Sequence, residues 1–487
     1  MVILSKSKYL VGLQCPKHLW ILFHEPERIP EVDKSTQYRF DQGKLVGELA
    51  KSIYPNGIDI ATEDLSGNIN QTQDLLKKRK PLFEAAFSTE NLYSRADILN
   101  PVGKEEWDVI EVKSSTEVKD DHIQDVSFQK YVYEKAGLKI RKCYLLHINN
   151  GYIREGKIHA KDLFKAEDIT FDVNKTISGI KDRIGLMFQI INSKVCPDIK
   201  NGISCEGPKE CPLQEICWDF LPEDNIFDLY RAGSKGQELF ERGIYSIKDI
   251  PDDFNLSDKQ QLQRECVKFG KPYIDKKSIE SFLKSLNYPI HYLDFETFST
   301  AIPLYDKIRP YQQIPFQFSL HIQESKSSNP SHYYFLASGK ADPREDFLTE
   351  LKKVIGDKGT ILVFNQSFEV SRLKELAEIF PKQKVWINNV LIRIYDLLLP
   401  FRNFYYYNPK QKGSASIKKV MPAITGKGYE ELEINNGGDA SLAFLDITFE
   451  KIPEEDQTKI RENLEKYCGR DTEGMVWILE NLIKLAK

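Results

Sequence analysis

Apolar and charged residues alternate over several short stretches of the chain, and these stretches are the predicted strands. The run from Val109 to Lys113 alternates in this way and predicts a half-buried strand with one polar face. Asp97 is expected to end a shorter strand about a hairpin's length earlier. Residues 138–149 and 288–299 are longer apolar runs and predict two further strands.

Apolar residues at helical spacing predict the main helices. Residues 5–24 are expected to form a helix that is interrupted near Cys15, where a proline follows. Residues 36–53 predict a second helix, and residues 462–483 predict another near the end of the chain. Residues 360–381 are typical of a strand, a turn and an amphipathic helix.

Chemically useful side chains lie at regular spacing on the first group of these elements. Glu111 and Lys113 are two residues apart and leave a strand on the same face. Gln129 and Tyr133 are four apart and share one face of a helix. With Asp97 they predict a site in which two carboxylates hold a hard divalent cation. The alternative is an exposed Glu/Lys pair on a surface strand.

Composition limits the classes of protein that the chain can represent. Its 487 residues predict two to three domains, and 41% hydrophobic with 29% charged residues is ordinary for a soluble globular protein. The net charge of −4 argues against a passive nucleic-acid coat but not against a nuclease with acidic metal sites. No apolar run approaches a membrane span, and the first residues lack the apolar core of a signal peptide. We therefore expect a cytoplasmic protein without a membrane partner.

The eight cysteines suggest metal ligation before disulfides in a reducing compartment. Cys205, Cys211 and Cys217 are spaced C-x5-C-x5-C in a loop rich in glycine and proline, and Cys15 lies far upstream. Together they predict a four-sulfur site for [4Fe–4S] or zinc. The alternative is a set of scattered free cysteines, and Cys196 is a fifth candidate ligand.

Carboxylates from three separate elements predict a second site. Asp294 and Glu296 share one face of a strand, Glu369 lies near a helix start, and Tyr467 and Asp471 are four apart on a helix. Four carboxylates and a tyrosine are what a two-metal phosphodiesterase requires. A further acid in this half, Asp396, is interpreted as either structural or supporting.

Two other segments leave alternatives open. Residues 228–250 resemble faintly a helix-hairpin-helix element that offers backbone N–H groups to phosphate, although a plain helical connector is favoured. Residues 401–424 combine three consecutive tyrosines, Tyr405 to Tyr407, with several lysines. This combination suits stacking on single-stranded nucleic acid or, equally, a strand packed on the domain edge.

The first set of residues resembles the PD-(D/E)XK nucleases of the RecB type. The resemblance implies that Asp97 and Glu111 bind Mg²⁺ or Mn²⁺ and that Lys113 serves the attacking water. It also implies that Gln129 and Tyr133 position the site and its substrate.

The chain departs from this family at one metal ligand. The family usually has a histidine in a G-x-x-x-H pattern on an early helix. Here the matching stretch runs from Gly43 to Gly47, and Glu48 follows it. Gly47 cannot bind a metal, and whether Glu48 substitutes is open.

The cysteine pattern resembles the iron–sulfur subset of these nucleases, which includes AddB and the CRISPR adaptation nucleases. The resemblance implies a [4Fe–4S] cluster held by Cys15, Cys205, Cys211 and Cys217, with zinc as the alternative. Such a cluster would tie the first helix to the end of the domain.

The second set of carboxylates resembles the DnaQ-like DEDD exonucleases of the RNase H-like fold, in their tyrosine variant. By position, Asp294 and Glu296 correspond to the first motif, Glu369 to the second, and Asp471 with Tyr467 to the third. These acids would bind the metal ions and Tyr467 would orient the water. Glu369 is a departure, because the second motif normally has an aspartate.

The expected fold class is α/β throughout, and the order of the motifs resembles that in a largely uncharacterised bacterial family. We expect a PD-(D/E)XK domain with its cysteine cluster at 1–220, a helical connector at 221–286 and an RNase H-like domain at 287–487. The expected function is a metal-dependent DNA nuclease with two phosphodiesterase sites that acts as an exonuclease on single-stranded DNA or DNA ends. Repair, or defence against foreign DNA, follows from the resemblance. The alternatives are a binding or regulatory protein whose sites have lost activity, and an exonuclease that acts on RNA.

Overall fold

The chain divides into two compact units, each a mixed α/β structure. The first unit contains the residues up to Asp219 together with Thr300–Gln312, and the second contains Phe220–Ser299 and Gln313–Lys487. Residues 221–286, expected to be a separate connector, therefore belong to the second unit. The computed structural model describes residues 2–60, 64–199, 202, 205, 207 and 210–487.

A seven-stranded sheet forms the centre of the first unit. Its strands are β1 (Leu4–Ser5), β2 (Ile58–Asp59), β3 (Leu82–Thr89), β4 (Leu92–Val102), β5 (Glu106–Lys113), β6 (Lys139–Ile148) and β7 (Phe164–Asp168). Strands β2 to β7 pair in chain order, and β1 pairs with β4. Pairing is antiparallel from β3 to β5 and parallel between β5 and β6, so the sheet is mixed.

Nine α-helices of this unit lie in its described part. They are α1 (Lys6–Gln14), α2 (Pro16–His24), α3 (Lys34–Lys51), α4 (Leu65–Leu76), α5 (Asp120–Lys135), α6 (Ala160–Leu163), α7 (Thr170–Ile177), α8 (Ile180–Asn192) and α9 (Gln214–Cys217). The predicted break near Cys15 is confirmed: Cys15 is extended, and its Sγ accepts a hydrogen bond from the His18 N–H at 3.3 Å. Ser5 caps α1.

The first core packs α1, α5 and α8 against the sheet. Tyr9 of α1 and Phe128 of α5 are fully buried, and their rings stack with centroids 4.8 Å apart. Hydrophobic burial of this kind fixes α5 beside β4 and β6. The predicted site residues on α5 and β5 are thereby brought against one another.

Two expectations for this unit are wrong in detail. Asp97 lies in the middle of the 11-residue strand β4 and does not end a shorter strand. The interior of β5 is buried on both faces, so it is not a half-buried strand, and Glu111 is only 1% exposed. Covering by α3 on one side and α5 on the other accounts for this burial.

A five-stranded sheet forms the centre of the second unit, and a separate strand pair accompanies it. The strands are β8 (Tyr273–Ile274), β9 (Ile290–Phe298), β10 (Ile314–Gln323), β11 (Ser331–Leu336), β12 (Thr360–Val363), β13 (Ile394–Asp396) and β14 (Tyr406–Tyr407). The order in the sheet is β11-β10-β9-β12-β13. Pairing is antiparallel from β11 to β9 and parallel from β9 to β13.

The helices of the second unit are α10 (Ser234–Glu241), α11 (Asp258–Phe269), α12 (Lys276–Lys284), α13 (Arg344–Val354), α14 (Ser367–Ile379), α15 (Lys384–Leu391), α16 (Leu399–Arg402), α17 (Ile417–Thr425), α18 (Gly437–Phe449) and α19 (Glu454–Ala486). The predictions for 360–381 and 462–483 are confirmed by β12, α14 and α19. The long helix α19 packs on β9 and β10, which carries its side chains to the first predicted motif of this unit.

The tyrosine-rich segment is packed inside the second unit. Tyr406 and Tyr407 form β14 and pair with β8, and they are 4% and 1% exposed. Tyr407 also stacks on Phe404 with ring centroids 4.8 Å apart. Of the two alternatives for this segment, the packed strand is the one found for Tyr406 and Tyr407, because buried rings cannot stack on bases.

None of the helices in the described part of the chain combines the length and apolar composition that a membrane crossing requires.

Candidate functional site

The register of β4 and β5 brings Asp97 next to Glu111. Ile98 pairs with Ile110 in this antiparallel ladder, so Asp97 lies opposite Glu111. The Asp97 carboxylate accepts a hydrogen bond from the Val112 N–H at 2.7 Å, which fixes its position on the sheet. The predicted pair of carboxylates therefore does converge.

Glu111 is held by three donors. Lys113 and Lys6 each donate from Nζ to its Oε1, at 2.6 and 2.8 Å. The Nε2 of Gln129 donates to Oε2 at 2.6 Å, and the Tyr133 hydroxyl donates to Gln129 at 3.0 Å. Four of the five residues predicted for this site thus form one hydrogen-bonded network around the Glu111 carboxylate, and Asp97 lies beside it on β4.

Two members of this network were missed by sequence reasoning. Asp125 accepts from Lys113 at 2.7 Å and from Gln129 at 3.0 Å. Its position four residues before Gln129 on α5 is a signal that could have found it. Lys6 belongs to the first turn of α1, about a hundred residues from its partner, and nothing in its local sequence indicates its role.

Burial and mutual repulsion set the charges in this network. Burial, together with Asp125 and Asp97, raises the pKa of Glu111 to about 7. Burial alone would lower the pKa of Lys113, but Glu111 and Asp125 hold it above its usual range. Because Lys6 is hydrogen bonded to Glu111, a metal ion could reach Asp97 and Glu111 together only after the Lys6 ammonium withdraws.

The position of the missing histidine ligand has no evident substitute on α3. A Cβ atom built on Gly47 would meet nothing within 4 Å. Glu48 is largely exposed, and its carboxylate forms an ion pair with Lys51 at 2.7 Å. Glu48 is therefore occupied at the surface of α3.

The four predicted cysteines lie within electrostatic reach of one another. Burial raises the pKa of the Cys211 thiol, and Cys15, Cys205 and Cys217 act in the same direction. The Cys211 N–H donates to the Cys205 carbonyl at 3.1 Å, which joins these two cysteines through the backbone. Four thiols in one neighbourhood are the donor set of a structural metal or iron–sulfur site.

The surroundings of the cysteines are partly apolar. Trp20, Ile21 and Leu213 pack with Cys211, and Cys196 and Cys217 lie at the margin of this cluster. Several loop residues between Cys205 and Cys211 lie outside the described residues. Cys196 is half-buried. Burial raises the pKa of the Cys196 thiol, and Cys217 is close enough to raise it as well. Cys196 therefore remains a fifth candidate ligand.

The second unit brings its five predicted site residues into one buried cluster, which we call the acidic cluster. Its members are Asp294 and Glu296 on β9, Glu369 in the first turn of α14, and Tyr467 and Asp471 on α19. Glu296, Glu369, Tyr467 and Asp471 are each at most 7% exposed. Charged groups buried together in this way require compensation.

Little within the described residues compensates the acidic cluster. Burial, followed by Asp471, Glu296 and Glu369, raises the pKa of Asp294 far above its usual range. Burial raises the pKa of Asp471 to about 6, although Tyr429 and Lys418 lower it. The Oε2 atom of Glu369 is buried and has no hydrogen-bond partner among the described residues. The cluster therefore fits one or more divalent cations, which prefer carboxylate oxygen.

Asp396 has a structural role. Its Oδ1 accepts from the N–H groups of Asn365 and Leu398, at 2.9 and 3.0 Å, and it holds the turn that precedes α14. It also contributes to the raised pKa of Glu369. Asp396 thus fixes the turn from which α14, the helix that carries Glu369, begins.

Three further residues belong to this site, and of these only Lys418 had a sequence signal, as one of the lysines of the tyrosine-rich segment 401–424. The Tyr429 hydroxyl donates a short hydrogen bond to Asp471. Lys418 lies above the rings of Tyr429 and Tyr467, with Nζ 5.9 and 5.6 Å from their centroids. Cys468 places its Sγ 3.7 Å from the Asp294 carboxylate.

The first residue of α18 also faces the acidic cluster. A Cβ atom built on Gly437 would lie 3.7 Å from the Glu296 carboxylate and 4.0 Å from the Tyr467 hydroxyl. The helix has 13 residues, so its N-terminus brings a partial positive charge to the site.

Glu369 gives the site a pH dependence that can be measured without any substrate. Burial raises its pKa to about 8, so the folded carboxyl keeps a proton that the unfolded one releases near pH 4.5. The stability contributed by this group is therefore lost as the pH rises from about 4.5 through about 8. The Glu369→Gln variant should lack this loss. Its melting temperature relative to the natural protein should accordingly increase between about pH 5 and pH 8 in the presence of chelator.

The matched control for this prediction is Glu378→Gln, which changes an exposed residue on the same helix. Thermal unfolding at several pH values would give the two difference curves. Parallel curves for Glu369→Gln and Glu378→Gln would contradict the buried, uncompensated state of Glu369.

Comparison with known proteins gives a family match without an assigned activity. A family model described as "Domain of unknown function (DUF2779)" matches residues 291–416. This region contains Asp294, Glu296 and Glu369. It stops before Tyr467 and Asp471.

Similar curated proteins are also uncharacterised. "Uncharacterized protein MG366" of Mycoplasma genitalium is 28% identical over 220 residues, which cover 40% of this chain and 32% of that protein. "Uncharacterized protein UU173" of Ureaplasma parvum serovar 3 is 27% identical over 221 residues, or 40% of this chain and 32% of that protein. The chain thus spans about a third of the length of these relatives. The solved structure "Crystal structure of SSO0001" matches with a TM-score of 0.20 and 14% identity, and covers 45% of this chain and 87% of its own.

Proposed function

We propose that this protein is a metal-dependent nuclease with two phosphodiester-hydrolysing sites, and that DNA with single strands or free ends is its substrate. The observation that carries the proposal is the acidic cluster of the second unit. Four carboxylates that are buried together, with one oxygen of Glu369 lacking any described partner, are destabilising unless cations bind them.

The acidic cluster suits hydrolysis of a phosphodiester better than a purely structural role. Divalent cations held by Asp294, Glu296, Glu369 and Asp471 would lower the pKa of a water molecule and neutralise charge on the reacting phosphate. The Tyr467 hydroxyl and the Glu296 carboxylate both lie within 4.0 Å of a Cβ atom built on Gly437, and the hydroxyl can orient a water molecule by hydrogen bonding. Tyr429 holds Asp471 in position from the other side.

Positive charge beside the acidic cluster supports a polyanionic substrate. Lys418 is attracted to Asp471 and Glu296, and its Nζ also donates to the Asn435 carbonyl at 2.6 Å. The N-terminus of α18 begins two residues later, at Gly437. An ammonium group and a helix N-terminus on one side of a carboxylate cluster can bind the phosphates of a polynucleotide while the acids bind cations.

The sheet of the second unit supports the finer fold assignment. If the five strands are numbered by their position in the chain, their order across the sheet is 3-2-1-4-5. Neighbouring strands among β9, β10 and β11 are antiparallel, and β12 and β13 run parallel to β9. This mixed sheet is compatible with the RNase H-like fold that the sequence resemblance implies. The two carboxylates of the first motif lie on the central strand β9, where such a nuclease needs them.

The first unit is proposed as the second nuclease site. Lys113 can orient a water molecule, and Gln129 and Tyr133 hold Glu111 from α5. Asp97 and Glu111 would bind Mg²⁺ or Mn²⁺ once Lys6 withdraws. The four-cysteine site of this unit is proposed to hold a [4Fe–4S] cluster, with zinc as the alternative.

One observation favours a second candidate function for the first unit alone. The Lys6 ammonium bonds the carboxylate that a metal ion would need, and Gly47 supplies no ligand. A unit of this kind could bind nucleic acid without cleaving it. The pathway, repair or defence against foreign DNA, rests on the sequence resemblance only.

A cleavage assay with separate site variants tests the proposal. Anaerobically purified protein would be incubated with end-labelled single- and double-stranded DNA and RNA, in Mg²⁺, Mn²⁺ or chelator. We expect metal-dependent cleavage of DNA, a different loss of products in Glu111→Ala and in Asp294→Ala, and no cleavage by the double variant.

Each result of this assay has a definite meaning. Glu111→Ala without effect would leave the second unit as the nuclease and would assign the first unit to binding. Cleavage of RNA but not DNA would replace the proposed substrate. Tight binding of DNA without cleavage in any metal would reject the catalytic proposal for both units.

A further inference from the structure

The acidic cluster contains a buried thiol that the carboxylate motifs do not include. Cys468 is fully buried on α19, between Tyr467 and Asp471. Its Sγ lies 3.7 Å from Oδ2 of Asp294. One ligand atom from each of Asp294, Glu296 and Cys468 can be chosen so that all three lie within 4.8 Å of one another.

A second observation indicates that this group faces a site for a cation. The Oε2 atom of Glu369 is buried and has no hydrogen-bond partner among the described residues. Glu369 also interacts electrostatically with both Asp294 and Glu296, so it faces the same space. The thiol therefore belongs to a group of potential metal ligands that has more acidic groups than described counter-charges.

The chemistry of sulfur makes this combination selective. Mg²⁺ is a hard cation that prefers oxygen and gains little from a thiolate. Zn²⁺, Co²⁺ and Cd²⁺ bind thiolate strongly and accept carboxylate as well. Binding through sulfur deprotonates the thiol, and the proton passes to solvent.

We infer that Cys468 is a metal ligand of the acidic cluster and that it makes the position shared with Asp294 and Glu296 selective for a thiophilic divalent cation over Mg²⁺. The inference deepens the proposed function, on which it rests for the presence of a cation in this cluster. It adds an ion selectivity that the carboxylate motifs do not provide. The simpler alternative is that Cys468 only fills space in the core.

Two other buried cysteines can be compared with Cys468 to separate metal binding from simple packing. Cys266 belongs to the same unit and is 7% exposed, and Cys143 lies in the first unit and is fully buried. Cys266 packs against Phe404 and Tyr407 instead of against two carboxylates. Replacing Cys266 by serine is therefore the matched control for replacing Cys468.

The experiment is a Cd²⁺ titration of the full-length protein, followed by ultraviolet thiolate-to-cadmium charge transfer. Because Cys15, Cys205, Cys211 and Cys217 are also proposed to bind metal, the signal of interest is the difference between the natural protein and Cys468→Ser. We expect Cys468→Ser to lack about one equivalent of the band and Cys266→Ser to keep it. Zn²⁺ affinity of the cluster should fall about tenfold or more in Cys468→Ser, while Mg²⁺ affinity should change less than about threefold.

A second variant keeps the test decisive if the serine variant folds poorly. The double variant Asp294→Asn, Glu296→Gln retains the thiol and removes its partner ligands, so it should lose the same equivalent of charge-transfer signal. Equal titrations of the natural protein and of whichever variant is folded, judged by thermal unfolding, would overturn the inference.

The outcomes for the ion and for the reaction can be told apart. A band that depends on Cys468, in a protein that cleaves no polynucleotide, would support the ligand assignment and reject the nuclease. Metal-dependent cleavage without any such band would support the nuclease and reject Cys468 as a ligand.

Discussion

Under the proposed nuclease function, replacing Asp294 by asparagine is expected to slow nucleotide release by the second unit at least about a thousandfold, equivalent to about 4 kcal/mol of transition-state stabilisation. Asp294 is next to Glu296, Cys468 and Asp471, and an amide at this position would bind a divalent cation poorly. The same change should raise the melting temperature of the metal-free protein by about 3 °C or more at neutral pH. The reason is that the remaining three carboxylates would no longer be repelled by a fourth.

Opposite signs for activity and stability make this prediction specific. If Asp294 had only a structural role, its replacement would lower the stability of the protein together with its activity, because hydrogen bonds of the aspartate would be lost. Single-turnover cleavage with Mn²⁺ and thermal unfolding with chelator would measure the two effects. Asp346→Asn, at an exposed position on α13, is the control and should change neither. A thermally destabilised Asp294→Asn variant that remains active would contradict both the metal role and the charge repulsion.

Replacing Cys211 by serine is expected to remove the metal or cluster that we propose for the first unit and to lower the stability of that unit by about 3 kcal/mol or more. This is the order expected of a cross-link that closes a loop of nearly two hundred residues. Cys211 lies between Trp20, Ile21 and Leu213, so its loss also disturbs the packing of α2. The chain from Cys15 to the loop at Cys205–Cys217 would no longer be closed by a cluster.

Iron, acid-labile sulfide and zinc contents of anaerobically purified protein, with thermal unfolding, would measure this effect. Cys143→Ser is the matched control, because Cys143 is a fully buried cysteine on β6 away from the cluster. If the site holds an iron–sulfur cluster, the natural protein should absorb broadly in the visible range and the Cys211→Ser variant should not. Equal metal content in Cys211→Ser and in the natural protein would contradict the four-cysteine site.

Local patterns in the sequence identified the elements that carry the sites. Alternation predicted β5, apolar runs predicted β6 and β9, and helical spacing predicted α14 and the region of α19 that holds Tyr467 and Asp471. Spacing of two on a strand and four on a helix also predicted which side chains share a face. These features depend on neighbours a few residues apart, so the sequence can express them directly.

Burial was less well predicted from the same patterns. Phe40 and Leu45 of α3 are 53% and 55% exposed although they occur at helical spacing, whereas Val46 and Ala50 are fully buried. Tyr406 and Tyr407 are buried although their segment suits nucleic-acid stacking equally well. Which face of an element is covered depends on the elements that pack on it, and these come from distant parts of the chain.

The sequence by itself determined the ligand types of both sites and the faces on which they lie: Glu111 and Lys113 on one strand, Asp294 and Glu296 on another. Only the tertiary structure decided their partners. It brings Lys6 to Glu111 across 105 residues, Tyr429 to Asp471 across 42, and Cys468 to Asp294 across 174. The physical reason is that contacts between distant residues arise from packing of whole elements around a hydrophobic core, which no local spacing encodes.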